Sequence, residues 1–165
     1  MSNIIGCAGF SGSGKSTSLK YLTPESTFII SCTNKQLQIP GFRKKYPKAE
    51  IKDKKLVGNW LISNNYSNIE KIMKIVSNTR PEIKTIVIDD ANYLLSNETF
   101  ATALDKGYTK FSVMAKNYYE LLMMCQSLRD DLTVVFICHI ENIGTEENPM
   151  YKIWTTGKML SQQVN

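Results

Sequence analysis

One short stretch constrains this chain more than any other. Ile4-Ile5-Gly6-Cys7-Ala8 reads as a buried strand, and Gly9-Phe10-Ser11-Gly12-Ser13-Gly14-Lys15-Ser16 follows it at once. The second stretch satisfies G-x-x-x-x-G-K-[ST], with Thr17 next, and residues 15–22 then look helical until Thr23-Pro24 stops them. Strand, glycine-rich loop and helix in that order form a phosphate-binding loop. The glycines let backbone N–H groups turn inward around an anion, and the helix presents its positive end to the same anion. The spacing therefore assigns Ser11, Gly12, Ser13, Gly14, Lys15, Ser16 and Thr17 to the phosphates of a nucleotide. Lys15 is expected to reach the β- and γ-phosphates, and the Ser16 hydroxyl to ligate Mg²⁺.

The remaining chain alternates strand and helix patterns. Residues 27–32 are a second strand, 83–88 a third that ends at Asp89-Asp90, 132–138 a fourth that ends at His139, and 150–155 a fifth. Residues 68–76 carry apolar side chains at helical spacing behind Ser67 or Asn68 as cap, and Pro81 closes that helix. Residues 91–129 are helical around a break at Lys106-Gly107. Their second half puts Phe111, Met114, Ala115, Tyr118, Leu121, Leu122 and Cys125 on one face. Strands apolar on both faces and alternating with helices predict an α/β fold, a parallel β-sheet sandwiched by helices. Ligands of such sheets sit beyond the carboxyl ends of the strands, where the Gly-Ser loop, Asp89-Asp90 and His139 converge.

Residues 85–90, Thr-Ile-Val-Ile-Asp-Asp, deliver carboxylates to a strand end, the Walker B pattern. Mg²⁺ takes hard oxygen ligands and keeps several waters, so one carboxylate suffices, and Asp89 is assigned to it. Asp90 stands where many ATPases carry a glutamate that orients or deprotonates water. It is read as that group or, alternatively, as the cap of the following helix. His139, the one histidine, is either a sensor of the γ-phosphate or a satisfied structural residue. Glu141, two residues on in an extended segment, faces the same way and is a weaker candidate. One histidine and scattered cysteines cannot assemble a zinc tetrad.

The chain has 165 residues, 42% of them hydrophobic, which suits one domain spanning 1–165 with an irregular basic insertion at about 33–60. Four cysteines in apolar or helical runs read as core thiols of a reducing compartment. No apolar run approaches the ~20 residues of a membrane span, and no basic region precedes the first apolar residues as a secretory leader requires. The expectation is a cytoplasmic protein without membrane contact. Between Arg43 and Lys55, seven basic residues face two acidic ones, so this segment carries the whole net charge of +5. It is read as a solvated loop or as an electrostatic footprint for the phosphates of single-stranded DNA.

Competing phosphate-loop classes lack their signatures. Thr33-Asn34-Lys35-Gln36 has no aspartate of a guanine-reading motif, Asp89-Asp90-Ala91-Asn92 is not D-x-x-G, and no L-S-G-G-Q-like run exists. A nucleotide or nucleoside kinase remains an alternative, although only Arg43, Arg80 and Arg129 are present to clamp a phosphoryl group. A nucleotide-switched binding module without turnover is another.

Five segments in order carry a resemblance: residues 9–17; 86–94 (Ile-Val-Ile-Asp-Asp-Ala-Asn-Tyr-Leu); 106–111 (Lys-Gly-Tyr-Thr-Lys-Phe); 135–141 (Val-Phe-Ile-Cys-His-Ile-Glu); and 155–160 (Thr-Thr-Gly-Lys-Met-Leu). The set resembles bacteriophage-encoded RecA-like AAA-family ATPases, found among phage replication and recombination genes, over nearly the whole chain. The resemblance implies a P-loop NTPase core of RecA-like (ASCE) type, ATP and Mg²⁺ as ligands, His139 as sensor and a homo-oligomer. It further implies single-stranded DNA and phage recombination or replication proteins as partners, in the host cytoplasm. It makes Lys158 the basic residue offered to a neighbouring subunit's site; the other reading of Lys158 is a surface lysine. Two departures stand out. Ser31-Cys32-Thr33-Asn34 replaces the glutamate that RecA-type proteins often carry there, and the chain stops at Gln162-Gln163-Val164-Asn165, short of a further strand, as a truncated or reduced core would.

Overall fold

The computed structural model of the chain describes residues 1–155. In order it forms β1 (Asn3–Gly9), α1 (Lys15–Ser18), β2 (Thr27–Ser31), α2 (Phe42–Lys45), β3 (Glu50–Lys52), β4 (Lys55–Val57) and β5 (Trp60–Ile62). There follow α3 (Tyr66–Thr79), β6 (Thr85–Asp89), α4 (Asn92–Ala101), α5 (Thr109–Gln126), β7 (Thr133–Asn142) and β8 (Tyr151–Ile153). The fold is α/β, with a mostly parallel central sheet in the order β1-β7-β6-β2-β5 and helices on both faces; β8 pairs antiparallel with the end of β7. No helix among the described residues is long and apolar enough to cross a membrane.

Side chains of a strand alternate between its faces, and the core divides on that rule. Phe28, Ile30, Ile86, Ile88, Val134 and Phe136 pack on one face with Ile69, Met73 and Val76 of α3 and Leu121 and Cys125 of α5. Residues that alternate with them, Ile29, Val87 and Ile137, pack on the other face with Leu19, Phe42, Tyr46 and Trp60. Both faces are covered, which is why strands β2 and β6 read as unbroken apolar runs.

Several local expectations are corrected. The helix expected over 15–22 is α-helical only to Ser18 and tightens into a 3₁₀ turn at Leu19–Tyr21. The cap of α3 is neither Ser67 nor Asn68 but Asn65, whose Oδ1 accepts from the Asn68 N–H at 2.9 Å. Strand β7 does not end at His139 but runs to Asn142, because β8 returns along it. Strand β1 is not buried as its apolar sequence suggests. Ile5 is 50% exposed, since among the described residues β1 has a partner, β7, on one side only. Cys125 and Cys138 are buried and Cys7 half-buried, and all four cysteines are free.

The segment 33–60 is more ordered than its sequence suggests. It holds α2 and an antiparallel hairpin of β3 and β4, whose turn residues Asp53 and Lys54 both have positive φ (48° and 63°). Two such residues are the requirement of a tight type I′ hairpin turn, but Asp-Lys lacks the glycine that usually announces one. Trp60 then opens β5, which joins the central sheet beside β2 with Ile29 opposite Trp60.

Candidate functional site

Strand register aligns the carboxyl ends that matter. Gly9 lies opposite His139, and Ser31 opposite Asp89, so the loop after β1, the carboxylates after β6 and the histidine of β7 share one end of the sheet. A pocket of about 180 Å³ opens there, and Gly14, Lys15, Ser16, Asp89, Asp90 and His139 are among its lining residues. Ser11, Gly12 and Thr17 line it as well, while Ser13 does not. Ser13 instead stands against the lysine, its Oγ 3.4 Å from Lys15 Nζ.

The loop depends on glycine for its backbone rather than for space. Gly12 and Gly14 have φ of 78° and 87°, and a Cβ on either would meet nothing within 4 Å; the left-handed conformation is what excludes other residues. Lys15 bends over the loop and donates to the carbonyls of Gly9 and Phe10, both at 2.7 Å. Ser16 Oγ donates to Asp89 Oδ1 at 2.7 Å, joining residues 73 positions apart.

Asp89 is 3% exposed. Burial holds its carboxyl above the ordinary value; the Ser16 hydrogen bond opposes this, the neighbouring Asp90 adds to it, and Lys35 opposes it. A dehydrated carboxylate beside a hydroxyl is a site that gains from a cation. Ser16 Oγ and Asp89 Oδ1 give two hard oxygens at the mouth of a phosphate-sized pocket. That donor set fits Mg²⁺, which takes one or two carboxylates and completes its shell from phosphates and water. Among the described residues there is no group of three or more His, Cys, Asp or Glu suited to a metal ion.

Asp90 does not cap α4. Its side chain turns the other way: Thr33 Oγ1 donates to Oδ2 at 3.2 Å, and His139 Nε2 lies 3.1 Å from Oδ1. Its backbone has φ 57°, a left-handed conformation that aspartate tolerates better than most residues and that aims the carboxylate off the strand axis. Glu141 is not part of the site, since it pairs with Lys152 at 3.2 Å. Lys158 lies outside the described residues.

Sequence reasoning missed Thr33, Lys35, Gln36 and Gln38, the last three of which line the pocket. They follow β2 directly, and the rule that ligands sit beyond strand ends was the signal that could have found them. It also missed Asn92. This buried residue accepts from the His139 N–H at 2.6 Å through Oδ1, and its Nδ2 donates to Trp154 O at 2.5 Å and His139 O at 3.3 Å. The Ala91 N–H bonds Ile137 O just before it. The Asn92 amide thus continues the ladder beside β7 after β6 has ended, and it holds His139 at its height.

All seven basic residues between Arg43 and Lys55 are exposed. Among the described residues only Lys52 of these seven is in an ion pair, with Glu50 at 2.7 Å. Compared with known protein families and with curated proteins, the sequence matches none.

Proposed function

We propose that the chain is a RecA-like P-loop ATPase that binds Mg-ATP through residues 11–17 and hydrolyses it, working on single-stranded DNA in phage replication or recombination. The observation that carries this reading is the 2.7 Å bond between Ser16 and Asp89. Two motifs that are far apart in sequence meet as a hydroxyl and a carboxylate at the foot of a loop built for phosphate. The strand order supports the RecA-like type, since the histidine strand β7 lies between the loop strand β1 and the carboxylate strand β6. The exposed, mostly unpaired cations of 43–55 support a polynucleotide partner. The homo-oligomer and the role of Lys158 rest on the resemblance alone.

Bound Mg²⁺ supplies charge neutralisation and polarises the phosphoryl oxygens. Lys15 exchanges its loop carbonyls for the β- and γ-phosphates. Each Asp90 oxygen has one protein partner and so retains a lone pair for water. Asp90 orients that water and takes its proton as the water oxygen bonds to the γ-phosphorus and the bond to the β–γ bridging oxygen breaks, leaving ADP and phosphate. Thr33 and His139 fix the carboxylate in that aim, and the histidine's link to Asp90 lets it register whether a γ-phosphate is present.

Phosphate release from Mg-ATP, with and without single-stranded DNA, tests the reading. Turnover is expected to rise with DNA and to vanish in Lys15→Ala. In Asp90→Asn it should fall by ~10²–10⁴, the range for loss of a positioned base, while ATP is still retained. Undiminished release from either variant would overturn the assignment.

A further inference from the structure

A second cavity, of about 390 Å³, adjoins the first across Lys35 and Gln36, which line both. Its other walls include Arg43 of α2, Lys48, and the rings of Tyr46 and Trp60. No carboxylate lines it, and neither Lys35, Arg43 nor Lys48 is in an ion pair among the described residues.

The cavity is built rather than incidental. Trp60 is held by its Nε1–H, which donates to Ser31 Oγ at 3.0 Å, and Phe42 packs against both Tyr46 and Trp60 with ring centroids 5.3 and 5.0 Å away. Lys48 is pinned to the wall by a backbone bridge to Trp60. That approach needs Gly58, where φ is 80° and a Cβ would stand 2.3 Å from Lys48 O. Three exposed cations thus line a concave space whose floor is apolar and whose indole N–H is already satisfied. The rings are nearly buried, at 1% and 7% exposure for Tyr46 and Trp60, so the cavity offers no open stacking platform for bases. What it offers is charge.

We propose that this cavity is a second anion subsite, which takes the phosphate of a nucleotide ester distinct from the ATP held by residues 11–17. The phosphate comes from a strand's phosphodiester or from a free nucleotide. Arg43 supplies a fork suited to phosphate oxygens and Lys48 a point charge. Lys35 stands between the two sites, close enough to Asp89 to stabilise its charged form. It serves both anions; this double role and the distinction from ATP rest on the nucleotide reading above, while the second cavity's own affinity for phosphate does not. Of the seven basic residues in 43–55, the cavity selects Arg43 and Lys48; the other five do not line it.

Calorimetric titrations with thymidine monophosphate and with a short oligothymidylate bearing hydroxyl ends test the proposal. Arg43→Gln with Lys48→Gln is expected to weaken whichever probe the subsite takes by about tenfold or more, since each substitution removes a charge-assisted hydrogen bond to phosphate. Lys71→Gln with Lys116→Gln removes the same charge from helix surfaces elsewhere and should shift affinity by no more than about twofold after salt screening. If the monophosphate responds, the source is a free nucleotide. If only the oligonucleotide responds, the source is a strand, and its log K against log salt slope should flatten by about 0.7 for each phosphate-binding cation removed. Lys35→Gln should weaken that probe and Mg-ATP together. No binding of either probe to the unaltered chain, or equal losses in the two double variants, overturns the subsite. Mg-ATP binding is measured on the same preparation. Its absence would sink the ATPase reading, while the subsite would still be judged by its own titrations.

Discussion

Replacing Asn92 with alanine isolates the device that sets the height of His139. The residue is 2% exposed and its amide makes a 2.6 Å bond from the His139 N–H and a 2.5 Å bond to Trp154 O. The third bond, to His139 O at 3.3 Å, counts for less because that carbonyl also accepts from the Trp154 N–H at 2.8 Å. The substitution therefore strands one donor and one acceptor and leaves a small void. A stranded buried group costs about 1–3 kcal/mol, less where water reaches it, so the total is about 2–4 kcal/mol. That is a large share of the roughly 5–15 kcal/mol that holds a domain folded. Urea unfolding followed by circular dichroism should show the midpoint falling by about 1–2 M at unchanged slope. Asn92→Asp sharpens the test. It keeps the acceptor for His139 but sets a carboxylate oxygen against Trp154 O and next to Asp89 and Asp90, so it should destabilise at least as much as alanine despite its equal size. A loss below about 0.5 kcal/mol in both variants, the range of ordinary surface changes, would refute the bridging role.

Two further outcomes follow from the titrating groups. Burial raises the Asp89 carboxyl, so the protonated form is favoured in the fold; the stability this confers is complete below the ordinary value of ~3.9 and is lost as pH rises through the raised one. At neutral pH, Asp89→Asn should accordingly melt higher than the parent without nucleotide, with the gap closing toward pH ~4, while Mg-dependent nucleotide retention disappears; a parent as stable as the variant at neutral pH would contradict this. Burial pushes the thiols of Cys138 and Cys125 up to about 11 and about 12. A thiol reagent at mildly alkaline pH should thus modify half-buried Cys7 first and reach the other cysteines only after denaturant is added; early loss of Cys138 or Cys125 in a mass-spectrometric time course would count against the packing described.

Much of this protein is local and so was legible in its residues. The glycine-rich loop proposed for phosphate is written in Gly12, Gly14, Lys15 and Ser16, because left-handed backbone and a terminal ammonium are properties of single residue types. The strand that ends at Asp89 and the apolar stretch before His139 were readable because a strand buried on both faces must be apolar throughout; the run of β7 on to Asn142 was not, because it depends on pairing with β8. The spacing of Ile69, Ile72, Met73 and Val76 named the buried face of α3 for the same reason. Capping was less legible. Asn65, Ser67 and Asn68 are all plausible caps, and which one serves depends on where the chain leaves β5.

The order of the strands was beyond the sequence. Nothing in 132–138 states that β7 inserts between β1 and β6, since crossover helices carry a strand to any position and the choice is made by packing across the whole sheet. That insertion brings His139 to Asp90 and gives Asn92 a neighbour to clamp. Nor does the stretch 33–60 announce its structure, because its ordering comes from Phe42, Tyr46 and Trp60 stacking together across a distance the local pattern does not span. Residue types named the candidate groups for phosphate and cation. Tertiary structure decided which of them meet, because the hydrogen bonds at issue, from Ser16 to Asp89 and from Asn92 to Trp154, link positions that only a completed sheet brings within 3 Å.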